Sequence, residues 1–210
     1  MVKVNAAFHF NGSGYIGKPY WPELDAVIKI EREIHPKLGP AKKEAALLAA
    51  CEKFSITRQR YDELKELSKR PFYTIDGTRG GEIVIPQRVF QSFLNHASME
   101  APKSVPKIQE KGLTFIGVRI DGGFLKTGKT EKDAKSFDRF VKNDDSNQRQ
   151  WNSDLYIDDF TARGVLQVDE NVIKCDALLK LTEYGAQWFG IGSARQQGFG
   201  RFSVITWEKI

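Results

Sequence analysis

The sequence predicts an α+β fold, an antiparallel sheet with helices on one face. Three observations lead there. Apolar and polar residues alternate at positions 2–10, and strand-like segments recur through the last third of the chain. Helical periodicity falls between those segments. No internal repeat or sharp compositional boundary divides the 210 residues, a length that suits one substantial core or one domain with insertions. Residues 1–210 are therefore expected to form a single domain.

Residues 2–10 read as the first strand, with Val2, Val4, Ala6, Phe8 and Phe10 on one face and Lys3, Asn5, Ala7 and His9 on the other. "NGSGYIGKPYWPE" (11–23) reads as a loop. Ile28 and Ile30 alternate, which favours a strand over 24–34. From 40 to 70 the pattern is helical. Pro40 suits a first turn and "AKKEAALLAA" is rich in helix formers. Tyr61, Leu64 and Leu67 recur at helical spacing, with Ser55 or Thr57 as the cap. This helical hairpin, bounded as residues 36–72, is expected as an insertion.

"IVIPQRVFQSFLNHAS" (83–98) reads as a strand end running into a helix. Its buried stripe is Val89, Phe90, Phe93, Leu94 and Ala97, leaving Arg88, Gln91 and Asn95 outside. "LTFIGVRI" (113–120) is a strand. Residues 121–152 are polar and charged, and are expected as a long charged loop or hairpin that protrudes. "SDLYIDDF" and "RGVLQV" add strands. "VIKCDALLKLTEY" (172–184) is a helix, with Gly185 as its C-terminal cap. A glycine-rich loop and a last strand, "RFSVITWEK", close the chain.

Hydrophobic residues make up 40% of the chain, as in ordinary globular proteins. No apolar run approaches the ~20 residues of a membrane span, and the N-terminal stretch does not resemble a signal peptide. No membrane partner is expected. Cys51 and Cys175 lack metal-ligand spacing and read as buried thiols in a reducing, cytoplasmic setting. No cofactor or metal is expected. The net charge of +5 favours an acidic partner such as nucleic acid.

"GIGSARQQGFGRF" (190–202) carries the clearest chemistry. Gly190, Gly192, Gly198 and Gly200 form two Gly-x-Gly pairs around a five-residue loop. Glycine serves where φ is positive or another group comes close. One reading is a concave anion site built from backbone N–H groups, with Arg195 and Arg201 adding charge for phosphate. The other is a turn whose glycines only permit tight packing. The Gly-Lys-Ser/Thr ending of a P-loop is absent, and a strand follows the loop where a dinucleotide fingerprint needs a helix.

The loop resembles the C-terminal glycine-loop signature of the RAMP superfamily, the RRM-like proteins of CRISPR–Cas systems. That signature is Gly-hydrophobic-Gly, five residues with a basic one, then Gly-hydrophobic-Gly, and "GIGSARQQGFG" fits every position. "VIPQRVFQSFLNHA" and "VIKCDALLKLTEYGAQWFGIG" resemble the same superfamily, in the branch that forms the guide-RNA-binding backbone of effector complexes. The likeness runs from residue 83 onward.

It implies an RRM-like (ferredoxin-like) sheet and non-catalytic binding of guide RNA in a ribonucleoprotein. Other effector subunits, copies of this chain and target nucleic acid are the implied further partners. The implied RNA-binding residues are Gly190, Gly192, Ser193, Arg195, Gln196, Gly198, Gly200 and Arg201, with Arg88, Lys126 and Lys129. The backbone branch also carries a protruding hairpin that wedges between guide bases. Residues 122–151 hold seven basic and five acidic residues with Phe124, Phe137, Phe140 and Trp151, more aromatic than a plain solvated linker needs. Phe199 and Phe202 are expected in the core.

Two alternatives stand beside this reading. The processing branch of the superfamily cleaves RNA by acid–base chemistry, typically with a histidine. His9, His35 and His96 are the candidates, His9 the least implausible and none with an identifiable partner. Asp158–Asp159 would point to opposite faces of a strand, against a two-carboxylate metal site, and Asp144–Asp145 are likewise only sequence neighbours. The third reading is a DNA-binding regulator, in which residues 40–70 form a helix-turn-helix with Thr57, Arg58 and Arg60 opening its second helix.

Overall fold

In a computed structural model of the chain, the described residues are 1–12, 14–17, 24–68, 72–75, 80–106, 117–142, 149–193, 195 and 198–210. The elements in chain order are β1 (Val2–Phe10), α1 (Leu24–Glu33), α2 (Pro40–Lys53), α3 (Arg58–Ser68), β2 (Val84–Pro86), α4 (Gln87–Glu100), β3 (Val118–Ile120), β4 (Phe124–Lys126), β5 (Lys135–Lys142), β6 (Arg149–Tyr156), β7 (Phe160–Val168), α5 (Cys175–Trp188) and β8 (Ser203–Lys209). Two compact units result: Met1–Lys18 with Pro71–Ile210, and Pro19–Arg70.

The larger unit is an antiparallel sheet in the order β2-β4-β7-β1-β8, with β3 also on β7. β1 is an interior strand and pairs with β7 from Val2↔Val168 to Phe10↔Phe160. Its other neighbour is β8, where a bulge interrupts the register between Ala7 and Phe8. The order β1, α4, β3–β4, β7, α5, β8 is the β-α-β-β-α-β arrangement of a ferredoxin-like fold. β5 and β6 form a separate two-stranded hairpin between β4 and β7.

Alternation in β1 buries Val4, Ala6, Phe8 and Phe10 against the helices. Phe8, Phe10, Phe90, Phe93 and Phe202 gather there, and Phe10 stacks on Phe160 at 4.5 Å. Each buried Phe contributes about 1.5–3 kcal/mol. α4 and α5 meet at Gly185, where a Cβ would stand 2.7 Å from Ala97 Cβ and 2.8 Å from the Phe93 ring. Gly185 is therefore not the cap of its helix: α5 runs on to Trp188, and the glycine lets two helices cross closely. Gln91 also departs from expectation. It is buried, and its Nε2 donates to the Val118 carbonyl at 2.6 Å. One turn earlier, Gln87 Oε1 accepts the Ile120 N–H at 2.8 Å. Two glutamines thus supply the hydrogen bonds that tie α4 to short β3.

The smaller unit is a cluster of three helices around Val27, Ile30, Leu47, Ala50, Cys51, Tyr61 and Leu64. Residues 24–33 are helix rather than strand. Val27 and Ile30 are buried three residues apart and Ile34 packs against them, whereas Ile28 is 47% exposed. The helical unit accordingly begins before residue 36. Thr57 caps α3, its hydroxyl accepting the Arg60 N–H at 3.1 Å.

Candidate nucleic-acid interface

Helix α5 ends where the N–H groups of Phe189 and Gly190 both bond to the Gly185 carbonyl, at 2.8 and 3.0 Å. Gly190 (φ +70°) then turns the chain. A Cβ there would lie 2.7–2.8 Å from backbone atoms of Phe199 and Gly200, and one on Gly200 (φ +79°) would collide with the backbone of Ile191. A Cβ on Gly192 (φ +92°) would stand 2.6 Å from the Ile16 carbonyl and 2.7 Å from the Tyr15 ring. These three glycines admit other parts of this same chain. Gly198 (φ +89°) differs, because nothing among the described residues lies within 4 Å of its missing Cβ.

The amides follow the same division. The Ile191 N–H donates to Gly200 O (2.8 Å), Ser193 to Ile16 O (2.8 Å), Gly198 to Arg195 O (2.9 Å) and Gly200 to Gly14 O (2.6 Å). Those four donors are engaged within the fold and are not free for the amide cradle that one of the two readings of the loop required. What the loop presents outward is Arg195, Arg201 and open Gly198. Both guanidinium groups are exposed, with no carboxylate within ion-pair distance among the described residues. Gln196 lies outside the described residues.

Arg201 stands at a cleft of about 610 Å³ between α5 and β8, together with Asn11, Glu183, Gln187, Ser203 and Val204. Trp188 ends α5 two residues before Gly190 and is 59% exposed. Sequence reasoning passed over it. The available signal was an aromatic at the last helical position before a glycine turn. Phe199 and Phe202 are both core residues. Phe202 packs on Phe8, Phe10 and Phe93, and Phe199 lies against Phe137 of β5 (4.7 Å) and Tyr156 of β6 (5.3 Å). The loop and the hairpin thereby share one aromatic cluster. The side chains of Arg139, Phe140, Lys142, Arg149 and Trp151 lie outside the description, as do Asp144 and Asp145.

The remaining predicted residues are not gathered on the loop. Arg88 is exposed in the first turn of α4, in the helix layer. Lys126 is exposed on β4, opposite Arg163 of β7. Its strand neighbour Leu125 is buried in the core, so Lys126 points to the sheet face away from the helices. Half-buried Lys129 uses its carbonyl to accept the Ile83 N–H at 2.7 Å.

The three histidines have different surroundings. His9 Nδ1 is 3.3 Å from the Thr161 hydroxyl and its Nε2 is 3.9 Å from Asp159 Oδ1. His35 Nδ1 accepts the Lys37 N–H at 3.2 Å in a turn. His96 packs edge-on to Phe189 at 4.9 Å. In the three-helix unit, Arg58 pairs with Glu44 (3.1 Å) and Asp62, and Arg60 with Glu63 (3.0 Å). The hydrogen bond to Glu44, with that to Asp62, pushes the Arg58 pKa upward. These cations are already matched by carboxylates.

No helix among the described residues is long and apolar enough to cross a membrane, and no cluster of metal-ligating side chains occurs among them. No family model matches the chain, and no curated protein matches it. Among solved structures, the chain is similar to a chain of the Type III-B Cmr-beta complex bound to cognate target RNA, at 11% identity and a TM-score of 0.46. The alignment covers 100% of this chain, which spans about 60% of the length of the other.

Proposed function

We propose that this protein binds single-stranded guide RNA without cleaving it, as a subunit of a CRISPR ribonucleoprotein effector. One observation carries the reading. The loop that fits the glycine signature bonds to the chain's own backbone at Ile191, Ser193, Gly198 and Gly200, and still presents two arginines with no ion-pair partner among the described residues, beside Gly198. Arg201 follows Gly200, whose N–H is bonded to the Gly14 carbonyl, so its backbone needs little further ordering when phosphate arrives. Arg195 and Arg201 supply the anion contacts that the engaged amides do not. Trp188 supplies a ring for a base to stack on, a contact that every base can make. Partner subunits, copies of this chain included, engage the β5–β6 hairpin, which adjoins the loop through Phe199.

The test is the nucleic acid that co-purifies with the full chain, with its length and ends sequenced. RNA of uniform length carrying repeat-derived ends is the expected result. Duplex DNA sharing a common site would favour the DNA-binding regulator. Metal-independent cleavage of a repeat RNA, lost in His9→Ala, would favour the processing enzyme.

A further inference from the structure

The cleft between α5 and β8 gathers polar groups that the phosphate contacts of the loop leave unused. It lies on the helix side of the sheet's outer strand, since Phe202 and Val204, which line it, pack toward the core. Glu183 and Gln187 reach it from α5, four residues apart on one helix face and both exposed. That spacing sets their Cβ atoms about 5–6 Å apart. Arg201 and Ser203 line it at the start of β8. The side chains of Glu183, Gln187, Arg201 and Ser203 make no hydrogen bond or ion pair with another described residue. Ala186 and Val204 supply an apolar wall. The volume of about 610 Å³ suits a small ligand, whose pockets span roughly 300–1,000 Å³.

We propose that this cleft is a guanine-nucleotide site. The proposal deepens the RNA-binding reading and rests on it for Arg201, which meets the phosphate of the same nucleotide. A carboxylate accepts hydrogen bonds at both oxygens and donates none. Guanine alone among the four bases presents two neighbouring donors on its Watson–Crick edge, N1–H and the 2-amino group. Glu183 accepts both in a bidentate pair. Guanine O6 stands beside N1 on the same edge, and the Gln187 amide N–H donates to it. Adenine and cytosine set a ring-nitrogen lone pair against the carboxylate, and uracil sets two carbonyl oxygens against it. The base plane rests on Ala186 and Val204. A guanosine of the RNA strand and a free guanine mononucleotide share this chemistry, and the experiment separates them.

The experiment uses the full chain, fluorescein-labelled oligo(U) of about ten nucleotides, and the same oligomer with one central G, A, C or inosine. The G oligomer should bind roughly tenfold tighter than the U, A and C forms, the size of a bidentate base contact. Inosine keeps O6 and N1–H but lacks the 2-amino group, so it should recover only part of that gain. Glu183→Gln should bring the ratio of G to U affinity close to one, and Gln187→Ala should lower it. Both positions are exposed on a helix, and circular dichroism verifies each fold. Unlabelled 5′-GMP in excess should displace the G oligomer, whereas 5′-AMP should not. Equal affinity for the G and U oligomers with no binding of 5′-GMP overturns the proposal. If Arg195→Ala with Arg201→Ala then still weakens both, the RNA-binding reading stands without it. A preference for G that survives Glu183→Gln also overturns it. Binding of 5′-GMP that Glu183→Gln abolishes, without a preference among the oligomers, assigns the site to a free nucleotide. If no oligomer binds at all, the RNA-binding reading fails as well.

Discussion

Gly198 and Gly200 differ by two positions and share a positive φ, yet they answer to different neighbours. A side chain on Gly200 would meet the Ile191 backbone, whereas one on Gly198 meets nothing within 4 Å among the described residues. Gly200→Ala should therefore lower stability by about 3 kcal/mol or more, from collision added to backbone strain. Gly198→Ala should cost only the left-handed strain, about 1–2 kcal/mol. Urea denaturation of the two variants compares them, and equal losses would contradict the division of the loop into braced and open glycines. Tyr15 gives a second test at this scale. Its ring lies under Gly192, and complete burial pushes the phenol's pKa above the ordinary tyrosine range. The unfolded chain ionises this group near pH 10 while the folded chain keeps it neutral. The stability it contributes is complete below that pH and falls by about 1.4 kcal/mol per unit above it. Tyr15→Phe should flatten the alkaline limb of a stability-versus-pH curve; an unchanged limb would mean that other groups govern it.

Among the elements, the strands and helices with a strong period were legible in sequence. β1 alternates cleanly, and Phe90, Phe93, Leu94 and Ala97 mark the buried stripe of α4. α1 was not legible because Ile28 and Ile30 mimic a strand, and only the packing of Val27 and Ile30 against α2 and α3 decides between the periods. Gly185 was misread because close helix crossing and helix capping both select glycine. Gln91 was misread because its partner, the Val118 carbonyl, lies across the fold. The coupling of loop to hairpin through Phe199 makes a prediction at this scale. Phe199→Ala removes a ring packed on Phe137 and Tyr156, a loss of about 3–5 kcal/mol where it is fully felt. Limited proteolysis should then cut within residues 135–156 faster than in wild type, while α4 and α5 stay protected. Accelerated cleavage spread over the whole unit would instead mean that Phe199 does not couple loop to hairpin specifically.

For the molecule as a whole, the candidate site was legible as a sequence pattern but not as a mechanism. The spacing of Gly190, Gly192, Gly198 and Gly200 was plain. Their amide partners were not, since Gly14 and Ile16 lie at the far end of the chain. Nor could spacing reveal that Glu183 and Gln187 line one cleft with Arg201. The central claim is that arginine side chains on a braced loop hold RNA by its phosphates. The most direct measurement is a salt titration of affinity for two unrelated single-stranded RNAs, with wild type, Arg195→Ala, Arg201→Ala and the double variant, each first shown to fold. Each single substitution should make the slope shallower by about 0.7, the double by about 1.4, equally on both RNAs. Folded variants that keep the wild-type slope and affinity on both RNAs would contradict the claim and leave the glycines as elements of a turn alone.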